Sequence, residues 1–399
     1  MTFQLNVARW AACALLLAGA STATAQMTVE QAIEVERMLA IPDSPFWSTP
    51  TGVPGAPGSL IRTEQHSAYR LPPGSTASRI LYWSNDLYFN PTVASAVLVK
   101  PAGAPPEAGW PLVVWARGAT GLGRQCGASN TYTLGYNMTP LVEQGFAVLA
   151  VDYAGYATDG GHKFGNKLVN ASDVLNAVPA AQAAVDGITQ QWAVVGHSQG
   201  GLVAWGVGEL QALRADPDYL GAVALAPAVG GARLLAHLAQ TPGSLFLPVY
   251  FARGIKAQYP QFDERSILTP EAAAHFDDLL DKGCYQYAKA RFADFTPGAV
   301  LQPAWQQQPY ITDFLAINEV GNKAMAGPLL VAAGQDDTVT PAGIIEAEVR
   351  RGCDNGNMIV YRSYSGDHSQ ILQTSLAEVS EWVKDRFAGK AVSDACSAG

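Results

Sequence analysis

Trp192-Ala193-Val194-Val195-Gly196-His197-Ser198-Gln199-Gly200-Gly201 is the stretch on which the reading of this chain turns. Four apolar residues suit a buried strand, and a helical pattern starts at Gly200 and runs to about residue 213. A chain that passes from strand to helix this abruptly strains the residue at the turn. Gly196 and Gly200, two positions to either side of Ser198, remove the side chains that would collide there. The serine hydroxyl then stands exposed at the sheet edge, near the positive end of the helix. Ser198 is therefore the candidate nucleophile.

Outward from this turn the sequence alternates. Short apolar runs at 79–83, 94–100, 112–116, 147–151, 193–195, 222–225, 329–333 and 358–361 predict strands. Helical patterns at 141–144, 171–185, 200–213 and 372–387 fall between or after several of them. Strands alternating with helices imply right-handed crossovers and a largely parallel sheet, with reactive groups at the carboxyl ends of its strands. The alternation breaks from about 229 to 327. That stretch reads as helical, notably at 233–239, 271–281 and 287–292, and holds Phe246, Tyr250, Phe251, Tyr259 and Phe262. It predicts a cap inserted into a core built from 78–228 and 328–399. Residues 26–77, rich in proline and glycine after a short helix at 28–39, predict an N-terminal segment packed on the core.

A serine hydroxyl needs a base, and the base needs an orienting acid. In sheets of this kind the chain order is nucleophile, acid, base. His66 and His162 precede Ser198, His197 adjoins it and would point off the turn, and His237 and His275 fall in the cap. His368, in Ser365-Gly366-Asp367-His368 after the last strand, is the candidate base. The acid belongs in the turn after 329–333, where Asp336 and Asp337 compete; the spacing G-x-x-D-x-x-x-P from Gly334 to Pro341 favours Asp337. Backbone donors for a developing oxyanion are expected from Gln199 and from Ala119 or Thr120, in Arg117-Gly118-Ala119-Thr120-Gly121 after an early strand.

Composition narrows the setting. Arg9, an apolar run from Trp10 to Ala18 and a close at Ala23-Thr24-Ala25 form a secretory leader cleaved after Ala25, with export to the periplasm or the medium. The apolar run is too short to span a bilayer, and no cysteine follows the cleavage point to carry a lipid anchor. No integral membrane segment is expected in the mature chain. A net charge of −9 with no basic run argues against nucleic acid. Cys13 would leave with the leader; Cys126, Cys284, Cys353 and Cys396 remain, an even set that suggests two disulfides in any of three pairings. Their spacing is not that of a zinc site, and no metal or cofactor is expected.

These motifs together resemble the secretory lipase family, a branch of the α/β hydrolases. The resemblance rests on Val113-Val114-Trp115-Ala116-Arg117-Gly118-Ala119-Thr120-Gly121 followed by Cys126, and on Gly145-Phe146-Ala147-Val148 leading to Asp152-Tyr153-Ala154-Gly155-Tyr156. It rests further on His162, the Gly196–Gly201 turn and Gly366-Asp367-His368. It implies an α/β-hydrolase core, a helical cap over an apolar acyl site that can touch a lipid interface, and cofactor-free hydrolysis of carboxylic esters, apolar acyl esters or triacylglycerols first among them. Bridges Cys126–Cys284 and Cys353–Cys396 are implied as well. In this setting Asp152 and Tyr153 are expected to hold a loop rather than to catalyse. One departure stands out: the family has His-Gly-Thr where this chain has Arg117-Gly118-Ala119. Short-chain or aryl-ester hydrolysis, acyl transfer, peptide hydrolysis and a non-catalytic binding role remain the alternatives.

Overall fold

The computed structural model describes residues 26–134, 138–393 and 395–396; the leader expected at 1–25 lies outside them. Among the described residues nine strands form one sheet: β1 (Leu60–Gln65), β2 (Thr76–Asn85), β3 (Pro91–Lys100), β4 (Trp110–Ala116), β5 (Ala147–Val151), β6 (Ile188–His197), β7 (Tyr219–Leu225), β8 (Leu329–Gly334) and β9 (Ile359–Tyr364). Their spatial order is β1-β2-β3-β5-β4-β6-β7-β8-β9. The pairings β1–β2, β2–β3 and β3–β5 are antiparallel, and every pairing from β5 through β4 to β9 is parallel. The parallel part explains the unbroken apolar runs. Along β4, Leu112, Val114 and Ala116 enter the core on one face, and Val113 and Trp115 enter it on the other.

Helices cover both faces. In chain order they begin with α1 (Val29–Leu39), α2 (Thr139–Glu143), α3 (Lys167–Ala184) and α4 (Gln199–Arg214). Between β7 and β8 come α5 (Gly231–Leu238), α6 (Leu247–Gln258), α7 (Pro270–Ala273), α8 (Asp278–Asp281), α9 (Tyr285–Arg291) and α10 (Pro309–Asn318). The chain ends with α11 (Ala342–Asp354), α12 (Ile371–Thr374) and α13 (Leu376–Phe387). Apolar residues of α3, α4 and α11 pack on one sheet face, and those of α2, α12 and α13 on the other. Helices α5 to α10 enclose an apolar cluster of their own, in which Phe246, Tyr250 and Phe262 are buried. Three of the five aromatics singled out in the sequence are thus the interior of this segment.

Several elements differ from expectation. Strand β1 and the start of β2 lie within 26–77, so that stretch supplies the sheet edge as well as a surface segment. The polar run Thr189-Gln190-Gln191 belongs to β6, because its end projects beyond the core and needs no apolar side chains. Helix α3 starts at Lys167, four residues before the apolar pattern, since the Asn166 side chain accepts from Val169 N and caps it. The pattern at 271–281 is broken into α7 and α8, and that at 372–387 is broken at Ser375 between α12 and α13. Helices α6, α10 and α11 are additional. Both disulfides, Cys126–Cys284 and Cys353–Cys396, have the pairing implied by the family resemblance. Among the described residues no helix is long and apolar enough to cross a membrane.

Two charged side chains tie the α5–α10 segment to the core, one through a buried ion pair of the core and one through a half-exposed pair. Lys167 Nζ, fully buried, lies 2.5 Å from Glu209 Oε2 and donates to the Glu319 carbonyl just beyond α10. Arg233 on α5 pairs with Glu348 on α11. Burial pulls the Lys167 ammonium down and pushes the Glu209 carboxyl up, each opposed by the other's charge. Removing Lys167 leaves the buried Glu209 with only Lys323, 3.8 Å away, to oppose its charge. Lys167→Met is expected to lower unfolding free energy by about 3–5 kcal/mol, and Lys167→Met with Glu209→Leu to recover most of it. Denaturant melts of the two variants check this; equal losses in both would contradict it.

Candidate active site

The reactive groups gather because β4, β6, β8 and β9 are parallel and end at one edge. Ser198 follows β6 with φ 57° and ψ −119°, a left-handed conformation that no ordinary side chain adopts without strain. The surroundings enforce it. A side chain at Gly196 would collide with the Gly200 carbonyl, and one at Gly200 with the Ala116 carbonyl of β4. Ser198 N donates to the Leu225 carbonyl at 2.9 Å, and Ser198 O accepts from Gly201 N at 3.0 Å and from Ala228 N at 3.0 Å. The residue is clamped between β7 and the first turn of α4.

Asp337 lies in the turn after β8 with its side chain fully buried. Its Oδ1 accepts from Val339 N at 2.7 Å and Thr340 N at 2.9 Å, an Asx-type turn that fixes the carboxylate. Its Oδ2 lies 2.7 Å from His368 Nδ1 and accepts from Thr340 Oγ1, also at 2.7 Å. Burial works against the Asp337 charge, but the hydrogen bonds from His368 and Thr340 outweigh it and hold the carboxyl below its usual range. Asp336 instead faces the Gly366 amide, 3.3 Å away on the exposed side. Of the two competing acids, only Asp337 meets the histidine. The loop carrying His368 is itself set by Asp367, whose Oδ1 accepts from Ser369 N and Gln370 N, each at 2.9 Å.

His197 corrects the sequence reading. Rather than pointing off the turn, it is buried against His368, with ring centroids 4.7 Å apart. Its Nε2 lies 2.7 Å from the His368 carbonyl oxygen. Burial pulls its pKa down to about 3, so the ring is neutral and Nε2–H donates. Thr340 was equally unforeseen, although its place three residues after Asp337 is an Asx-turn spacing that could have revealed it.

Gln199 opens α4, and Ala119 and Thr120 share a cavity of about 230 Å³ with Ser198 and His368. Their loop is rigidly held. The Arg117 guanidinium is buried, 3.3 Å from Asp152 Oδ1, 4.1 Å above the Tyr156 ring, and donates to Thr120 Oγ1. Thr120 Oγ1 donates to Cys126 O at 2.6 Å, and Thr120 O accepts from Tyr285 N at 3.0 Å. Asp152 also accepts from Ser95 Oγ, and Tyr153 OH donates to Arg117 O at 3.0 Å. Arg117, the departure from the family pattern, thus acts as the bolt of this loop. His162, buried and kept neutral by that burial, stacks 4.0 Å from Tyr156, and its Nε2 lies 2.8 Å from the Gln199 amide.

Comparison with known proteins agrees with this architecture. A model of the family described as secretory lipase matches residues 125–395, more than half of the chain. Lipase 4 of Candida albicans is 24% identical over 352 residues, covering 80% of this chain and 74% of its own. A protein of Mycobacterium tuberculosis described as a probable inactive lipase is 23% identical, over 90% of this chain and 85% of its own. Among solved structures, Candida antarctica lipase A superposes with a TM-score of 0.75 at 16% identity, covering 90% of this chain and 89% of its own, which shows a common fold. The chain belongs to the secretory lipase family, with an α/β-hydrolase fold, and is a carboxylic ester hydrolase.

Proposed function

We propose that this protein is a secreted carboxylic ester hydrolase that works through a Ser198–His368–Asp337 triad and an acyl-enzyme. The observation that carries the reading is the 2.7 Å Asp337–His368 hydrogen bond, in a buried turn beside a strained, cavity-facing Ser198. His368 accepts the Ser198 Oγ proton as that oxygen attacks the ester carbonyl carbon. The carbonyl oxygen gains the charge, and the Gln199 N–H with the Ala119 or Thr120 N–H receives it. Loss of one such donor costs about 3 kcal/mol of barrier. His368⁺, stabilised by Asp337, then protonates the alcohol oxygen as the C–O bond breaks. Water attacks the acyl-enzyme, gives its proton to His368, and Ser198 leaves as the alcohol with that proton. The helices between 229 and 327 serve as the cap, and the leader at 1–25 accounts for export.

Three measurements follow from this geometry. Ser198→Ala is expected to lose at least about 10⁴-fold in kcat on p-nitrophenyl acetate while keeping the wild-type melt; residual activity within ten-fold would overturn the reading. Asp337→Asn is expected to lose about 10⁴-fold because it favours the wrong His368 tautomer, and Asp336→Asn less than about three-fold. The reverse ranking would transfer the acid's role to Asp336. His197→Phe keeps the ring packing but removes the donor to the His368 carbonyl. It is expected to cost about ten-fold in kcat with KM nearly unchanged, and His197→Gln to restore part of it. A purely thermal effect, with kcat intact at low temperature, would deny His197 its positioning role.

A further inference from the structure

Two cavities meet at Ser198, and they differ in size and in walls. The first is about 20 Å³, enclosed by Ser198, Gln199, Leu202, Leu238, Leu247 and Phe251. The second is the cavity of about 230 Å³ that also borders His368 and Ser369. It adjoins a third, of about 460 Å³, with which it shares Ala119, Thr120, Ala128 and Tyr285 as walls. This third cleft runs past the Cys126–Cys284 bridge, between α1 and the 281–286 loop.

The chemistry assigns a part of the substrate to each. The oxygen of the departing alcohol must receive its proton from His368, so the alcohol lies on the side where His368 forms a wall. The acyl group then occupies the side bounded by Ser198 and Gln199 but not by His368. A cavity of about 20 Å³ holds roughly one water-sized group. Its walls resist widening. The Phe251 ring is held edge-on to Phe164 at 5.3 Å and packs so closely on Gly165 that a side-chain carbon there would lie 2.8 Å from it. Leu238 and Leu247 belong to the buried cluster of the cap. A long acyl chain must displace close-packed side chains, whereas a long alcohol has the cavity of about 230 Å³ on the His368 side to enter and the neighbouring cleft to extend towards.

The walls of the third cleft also indicate what fills it. Glu36 already accepts from Cys284 N and Gln286 N, each at 2.7 Å, and from Tyr287 N at 3.0 Å. Arg37 is paired with Glu34 at 2.7 Å and Lys282 with Asp278 at 2.8 Å. Asp281 stands exposed at the rim and disfavours an anion. With these charges engaged, the apolar surfaces of Ile33, Leu39 and the disulfide offer the recognition. We propose that this enzyme is selective for esters of a short acyl group, acetyl or propionyl, with a long uncharged apolar alcohol, which lies in the cleft between α1 and the 281–286 loop. The proposal rests on the triad reading for its orientation. It favours the short-chain alternative over the apolar acyl esters or triacylglycerols that the family resemblance puts first.

Two isomeric esters of equal hydrophobicity, decyl acetate and ethyl decanoate, test it when presented in the same neutral detergent micelles. Wild type is expected to favour decyl acetate by at least about ten-fold in kcat/KM. Phe251→Ala is expected to shrink that ratio by raising ethyl decanoate turnover, and Ile33→Trp to shrink it by lowering decyl acetate turnover. Equal or faster hydrolysis of ethyl decanoate by wild type overturns the proposal, as does a ratio that neither variant moves. Release of p-nitrophenol from p-nitrophenyl acetate separates the two levels of argument. If folded wild type fails on that ester, the triad reading falls with this one; if it succeeds while ethyl decanoate wins, only the assignment of cavities falls.

Discussion

The structure depends on how closely the start of α4 approaches strand β4. Gly200 lies against the Ala116 carbonyl, and Gly196 against Gly200, with no room for a carbon on either. That contact forces Ser198 into its left-handed conformation, where it lines the cavities beside the turn. Strain of this kind costs on the order of 1–3 kcal/mol and persists only where the packing around it leaves no alternative. Here the packing is that of a parallel sheet buried on both faces, with β6 at its centre between β4 and β7. The same register brings the ends of β4, β8 and β9 to one edge, so the Ala119–Thr120 loop and the Asp337–His368 pair converge on Ser198.

Around that turn the protein invests in polar locks more than in bulk. Asp337 is held by an Asx turn and Thr340, His368 by Asp367 and by His197, and the Ala119–Thr120 loop by Arg117, Tyr153, Tyr285 and the Cys126–Cys284 bridge. The bonds of Asp337 to Thr340 and of Tyr153 to the Arg117 carbonyl satisfy buried polar groups that would otherwise cost about 1–3 kcal/mol each. The α5–α10 segment is joined to this frame by the Lys167 bond to the Glu319 carbonyl, by Arg233–Glu348 and by the same disulfide. The segment is thus fixed at three places, and its aromatic side chains mostly pack within it.

Much of this was legible in the residues. The parallel strands appear as apolar runs because both faces are buried, and Ser198 announces itself by glycines at fixed offsets between a strand and a helix. His368 emerged by chain order. The polar end of β6, the capped start of α3 and strand β1 were hidden, because each is stabilised by hydrogen bonds or neighbours that carry no apolar periodicity. His197 was misread because its partner, the His368 carbonyl, is 171 positions away and supplies no local pattern. Arg117 stood out only as a departure from the family pattern. Its role depends on Asp152 and Tyr156, which only the fold brings beside it. Cavity size was wholly outside the sequence, since it is set by the mutual packing of Phe164, Gly165 and Phe251 across two segments.

The proposed mechanism passes through a covalent acyl group carried by Ser198. Trapping the enzyme in acid during turnover of a slowly deacylating ester, then mapping its peptides by mass spectrometry, tests this most directly. The account predicts one acyl equivalent on the peptide containing Ser198, and its accumulation in Asp337→Asn if deacylation is slowed more than acylation. An adduct on any other residue, or none in a folded enzyme that is visibly turning over, would contradict it.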